Sequence, residues 1–115
     1  MLSVEYRLKN KKVFNDIFRR GKTVSNDVLL LKYKDSGIKE LKIGFSVGVK
    51  FSKKSSKRNR VKRWMSEATR EMIGNIQPGW QIIFLINSKF PYEQMSYALI
   101  QERLKDLLGK AKLLK

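Results

Sequence analysis

Five of the seven residues from Lys57 to Arg63 are basic, the other two being Asn59 and Val61. Between Lys50 and Arg70 stand nine Lys or Arg residues and one acid, Glu67. Such side chains bind anions: arginine offers a planar fork of donors to phosphate, lysine a mobile point charge. Charge runs also occur on ordinary solvated helix faces. Those faces usually intersperse acids, so the near absence of acids here favours a face that meets a polyanion.

Groups for self-contained catalysis are missing. The chain has no histidine, the commonest general acid and base, and no cysteine, which rules out disulfides and thiolate metal sites. Glu67 and Glu71 have the i, i+4 spacing of a metal-binding carboxylate pair, but Arg63 and Arg70 stand where they can form helical ion pairs with Glu67, and that structural role is favoured. Asp16, Asp27, Asp35 and Asp106 follow no ligand spacing, and no glycine-rich phosphate cradle is present. The expectation is a chain with no catalytic residue and no metal site of its own.

The basic residues need a scaffold. At 115 residues, with 42% apolar residues and a net charge of +16, the composition predicts one folded domain over residues 1–115 that binds a polyanion. There is no apolar run near 18 residues and no signal-peptide core after Met1, so a cytoplasmic protein without membrane or small-molecule partners is expected. A helix over Ser56 to Met72 carries Val61, Trp64, Met65, Ala68 and Met72 as one apolar stripe. Ser55 or Ser56 can cap its start and Gly74 can end it. Positive charge at a helix N-terminus opposes the macrodipole, so the cations do not serve the helix itself.

A first helix, Asn10 to Arg20, has Asn10 as N-cap and Gly21 as its stop, with Val13 and Ile17 toward the core. Phe14 and Phe18 lie at the edge of that stripe; they suit either a core or a stacking surface. Val28 to Lys34 reads as a strand, with Asp35-Ser36-Gly37 as the turn after it. Leu41, Ile43, Phe45, Val47, Val49 and Phe51 alternate with Lys42, Gly44, Ser46, Gly48 and Lys50, which predicts a strand with one apolar face and one small-residue face. Glycines inside a strand mark close approach, by a ligand or by a packed helix. Trp80 to Ile86 is a strand covered on both faces. A final helix runs from Tyr92 to Leu108 with Tyr97, Ile100, Leu104, Leu107 and Leu108 on one side, and Lys110 to Lys115 is expected to fray.

KRNRVKRWMSEATRE, RLKNKKVFNDIFRRGKTVSN, LKIGFSVGVK and QIIFLI, in this arrangement and spacing, resemble the bacterial ribonuclease P protein component over nearly the whole chain. RLKNKKVFNDIFRRGKTVSN is similar to that family's first helix and exit turn. The resemblance implies an α+β fold, α-β-β-β-α-β-α, with helices on a mixed four-stranded sheet and a left-handed β-α-β crossover. It implies an RNA-binding subunit that assists a catalytic RNA in cutting the 5′ leader from precursor tRNA, with Mg²⁺ held mainly by the RNA. The RNA subunit would meet Arg58, Asn59, Arg60, Lys62 and Arg63, with Asn59 holding the helix start or neighbouring side chains. Lys53, Lys54 and Lys57, in the loop before the helix and at its start, suit backbone phosphates. The leader would lie in a cleft of Phe14, Phe18, Leu30, Lys32, Ser46 and Lys62. Where the family often carries a tyrosine this chain has Lys32, a cation in place of a stacking surface.

Other readings predict different partners. A ribosomal protein or RNA chaperone shares the charge and the mixed pattern but needs no leader-sized cleft. A DNA reader would want a second helix one short turn from the basic one, and none is expected there. Membrane-surface binding would need Trp64 and Met65 outside the core.

Overall fold

Ile82, Ile83, Phe84, Leu85 and Ile86 follow one another without a polar residue, the pattern of a strand covered on both faces. They form β4 (Trp80–Ile86), an inner strand of the sheet. The computed structural model describes residues 2–115. Along the chain run α1 (Lys11–Arg20), β1 (Lys22–Ser25), β2 (Leu29–Asp35), β3 (Lys42–Ser46), α2 (Ser55–Met72), β4 and α3 (Tyr97–Lys110), with short 3-10 turns at Val4–Tyr6, Ile73–Asn75 and Tyr92–Gln94. The sheet order is β1-β2-β4-β3. β2 pairs antiparallel with β1 and β4, while β3 and β4, joined through α2, run parallel. This is the mixed α+β architecture expected.

The two faces of the sheet are covered differently. Leu31, Phe84 and Phe45 share a cross-strand row, and their face packs under α2 and α3 with the main core of Val61, Met65, Ile100, Leu104 and Leu107. One residue along, Lys32, Ile83 and Gly44 point to the opposite face. Ile83 and Ile17 of α1 are buried outside the main core, and Phe14 of α1 lies against Gly44, so α1 covers this second face.

Several expectations change. Lys22–Ser25, placed in an exit turn, is instead strand β1, because its backbone pairs with β2. The strand expected through Phe51 ends at Ser46: Val47 is still buried, but Val49 is 64% exposed, and the Phe51 N–H donates to the Gly48 carbonyl in a turn. Neither Ser55 nor Ser56 caps α2; both lie inside it, and Lys54 occupies the cap position without a side-chain hydrogen bond. Gly74 does not end the helix in the left-handed region; a 3-10 turn continues it, and positive φ is confined among glycines to Gly37, in the predicted turn, and Gly79, just before β4. Gly21 is extended as well, and close approach makes it a glycine: a Cβ there would sit 2.5 Å from the Ile17 carbonyl oxygen. Asn10 does cap α1, accepting from the Lys12 N–H at 2.9 Å.

Trp64, expected in the core, is half-buried at its rim, while Ser66 and Thr69 are buried on α2 with their hydroxyls bonded. The last helix starts at Tyr97 with Ser96 as its cap, leaving Tyr92 in a separate turn. The tail does not fray. Leu113 is fully buried, the Gln77 N–H donates to the Leu113 carbonyl and the Lys115 N–H to that of Asn75.

Candidate nucleic-acid interface

Helix α2 presents its cations from a fixed frame. Val61, Met65 and Ala68 are fully buried, which turns Arg60, Lys62 and Arg63 to solvent. Arg58 donates to the Ser52 carbonyl at 2.8 Å and so ties the preceding loop to the helix. Lys57 Nζ lies 4.7 Å from the centroid of the Tyr92 ring, and Arg60 Nη1 donates to Tyr92 Oη at 3.3 Å. Lys53, Lys54, Asn59, Lys62 and Arg63 are exposed. Asn59, expected to hold the helix start, makes no side-chain hydrogen bond among the described residues.

Carboxylates are engaged elsewhere. Asp16 pairs with Arg20 and Lys34, Asp27 and Glu102 with Arg103, Glu40 with Lys42, Glu67 with Arg70, and Asp106 with Lys110. The Lys34 hydrogen bond holds the Asp16 carboxyl below its usual range, and the Arg103 hydrogen bond does the same for Asp27. Among the described residues, no such pair reaches the seven cations from Lys53 to Arg63, so their positive field is uncancelled. Helical pairing of Glu67 holds for Arg70 at 2.9 Å but not for Arg63. Glu71 accepts from Tyr97 Oη and Gln101 Nε2, both at 2.8 Å, which binds it to α3. Burial, followed by that carboxylate, pushes the Tyr97 hydroxyl up. Among the described residues no three His, Cys, Asp or Glu side chains come together as metal ligands, and Asp16, Asp27, Glu40, Glu67, Glu102 and Asp106 already serve lysines and arginines. These residues do not fit a Mg²⁺ site.

The second surface lies at the end of α1. Phe14 and Phe18, one helical turn apart, have ring centroids 5.3 Å apart and planes tilted by 37°. Phe18 is 36% exposed, and Lys32 Nζ stands 5.4 Å from its centroid. A Cβ on Gly44 would come within 3.0 Å of Phe14 Cε2, so the glycine in β3 is what lets α1 settle this close. Leu30, Leu85 and Ser46 form the neighbouring cross-strand row on the same face, all half-buried. Five of the expected cleft residues, Phe14, Phe18, Leu30, Lys32 and Ser46, therefore share one face.

The sixth, Lys62, stands on a neighbouring groove. Together with Asn59 and Arg63 it lines a groove of about 640 Å³ floored by Leu8, Ile43, Gly44 and Phe45. The two regions meet at Gly44. Arg7 and Lys9 add further cations to that groove, and sequence reasoning missed them. They are placed by the N-terminal segment, which closes the free edge of β3: Arg7 bridges Ile43, and the Leu8 N–H donates to the Ile43 carbonyl at 3.0 Å. The Leu2 N–H is anchored on Ser66 Oγ at 2.9 Å, and Arg7 Nε on the Leu2 carbonyl at 2.8 Å. Their charge was the one signal that could have found them; their position beside Lys62 depends on that edge pairing. Among the described residues no helix is long and apolar enough to cross a membrane.

The chain is similar to known proteins over nearly its whole length. The family model for ribonuclease P matches residues 2–112. A ribonuclease P protein component from Picosynechococcus sp. is 34% identical over 110 residues, covering 96% of this chain and 93% of that protein. Another, from Thermotoga petrophila, is 31% identical over 106 residues, 90% of each. The Staphylococcus aureus RNase P protein superposes with a TM-score of 0.83 at 26% identity, over 96% of this chain and 98% of that one. The Thermotoga maritima RNase P protein gives 0.80 at 29% identity, over 90% and 96%. With a family model spanning nearly all of its length, the chain belongs to the ribonuclease P protein components, the RNA-binding protein part of a ribonucleoprotein nuclease of tRNA processing.

Proposed function

We propose that this protein binds the RNA subunit of ribonuclease P through Lys53, Lys54, Lys57, Arg58, Asn59, Arg60, Lys62 and Arg63, and the 5′ leader of precursor tRNA through Phe14, Phe18, Leu30, Lys32, Ser46 and Lys62. One observation carries the first half: a cationic helix end, fixed by a buried stripe and left without acidic partners among the described residues. A cationic protein between two polyanions reduces their repulsion and gains counterion-release free energy from each. Exposed aromatic rings stack on bases of any identity, which suits leaders of differing sequence. Lys32 and Lys62 add charge for the leader's phosphates.

Hydrolysis belongs to the RNA subunit, with Mg²⁺ held there. Among the described residues of this chain the acids are ion-paired or scattered, which supports that division of labour. The setting is the cytoplasm.

Reconstitution with the ribonuclease P RNA of the same genome tests this. Protein alone should leave precursor tRNA intact, RNA alone should cut it at high Mg²⁺, and the two together at low Mg²⁺. Arg58→Ala, Lys62→Ala and Arg63→Ala should each weaken RNA-subunit binding and lower the salt slope by about one phosphate contact's worth. RNA-free, nuclease-treated protein that still releases the mature 5′ end would overturn the reading.

A further inference from the structure

Arg20, Lys34, Lys42, Arg70, Arg103 and Lys110 are held by carboxylates, and each partner cancels the charge that it positions. Lys57 and Arg60 are held differently. Both bear on Tyr92, the first residue of the 3-10 turn between β4 and α3. Lys57 Nζ stands 4.7 Å from the ring centroid, inside the range of a cation–π contact. Arg60 Nη1 lies 3.3 Å from the phenolic oxygen.

The ring that holds them is itself fixed. Phe51, from the loop before α2, meets it edge-on with centroids 6.2 Å apart and planes at 61°. The N–H of buried Met95 donates to the Tyr92 carbonyl at 2.9 Å, which locks the turn onto the core. A ring and a hydroxyl are neutral, so they fix a cation in place without cancelling its charge. Arg60 keeps its other N–H donors and Lys57 its ammonium protons for phosphate oxygens.

We propose that Tyr92 is a positioning residue for RNA-subunit binding, holding Lys57 and Arg60 in place so that neither side chain has to be ordered when the RNA docks. The role rests on the assignment of the basic end of α2 to the RNA subunit. Immobilising one long side chain on binding weakens affinity by roughly two- to tenfold. Tyr92→Phe keeps the ring over Lys57 and releases Arg60, so a loss in that range is expected. Tyr92→Leu also releases Lys57 and should lose roughly the square of it.

The test is titration of the full-length protein with the ribonuclease P RNA of the same genome, at several salt concentrations, with melting curves for each variant. Neither Tyr92 variant should change the salt slope, because the number of cations is unchanged, whereas Arg60→Ala should flatten it. In an Arg60→Ala background, Tyr92→Phe should have no further effect. Equal losses in both backgrounds, a flattened slope or unchanged affinity for Tyr92→Phe would overturn the positioning role. If Arg58→Ala, Lys62→Ala and Arg63→Ala weaken binding and Tyr92→Phe does not, the surface assignment stands and the positioning role falls. If no helix variant weakens binding, both fall.

Discussion

Truncating Phe18 probes the aromatic surface with the least damage to the fold. The ring is 36% exposed and takes no part in the main core under α2 and α3. A base stacked on such a ring contributes about 1–3 kcal/mol by alanine substitution. Lys32 Nζ, 5.4 Å from the centroid, already occupies one side of it, and giving up an exposed cation–π contact costs about 0.5–1 kcal/mol. The difference leaves about 0.5–2 kcal/mol for Phe18→Ala, roughly a two- to thirtyfold loss in affinity. The assay is fluorescence titration of the reconstituted holoenzyme with precursor tRNA bearing a leader and with mature tRNA. Only the leadered form should weaken. Lys32→Tyr should add a stacking surface and remove a charge, giving a leader-dependent change with a shallower salt slope. Equal losses for both tRNA forms would show that Phe14 and Phe18 only hold α1 to the sheet.

The remaining predictions concern the scaffold. The Lys34 and Arg103 hydrogen bonds lower the Asp16 and Asp27 carboxyls, and the Asn26 hydrogen bond, followed by that of Lys110, lowers Asp106. Their contribution is complete above the ordinary value of 3.8 and lost as pH falls through the lower folded values, so melting temperature should drop on acidification within about pH 5 to 1 and drop less in Asp27→Asn. Met65 is fully buried, so Met65→Ala should cost about 2–5 kcal/mol in urea denaturation. Trp64→Ala should cost less, because its ring lies half-exposed at the core's rim; the reverse order would refute that placement.

The most legible features were those whose cause is local. Period-two and period-3.6 patterns report which face is buried, so β4, the start of β2, α1 and the buried stripes of α2 and α3 could be placed from residue types alone. The basic run was legible for a similar reason: charge is a property of the residues, and it is uncancelled whatever the fold unless acids arrive from elsewhere. Parity within β2 also puts Leu30 and Lys32 on one face, whereas Ser46 joins them only through the pairing of β2 and β3 with β4.

Other features depend on partners distant in sequence. Lys22–Ser25 has no strand-like alternation and becomes β1 only because β2 offers a free edge. The N-terminal segment reaches β3 and Ser66 through backbone groups, which leave no trace in side-chain pattern, and this brings Arg7 and Lys9 beside Lys62. The tail is held by Gln77 and by buried Leu113, although its lysines read as solvent. Tyr92 looked like the start of a helix until Ser96 took the cap and left its ring free to meet Lys57 and Arg60. The sequence by itself determined which segments bury a face and where the positive charge lies, since both follow from residue chemistry over a few turns. Tertiary structure decided which cations stand together and what holds them, because contacts between distant segments depend on backbone pairing that no local pattern encodes.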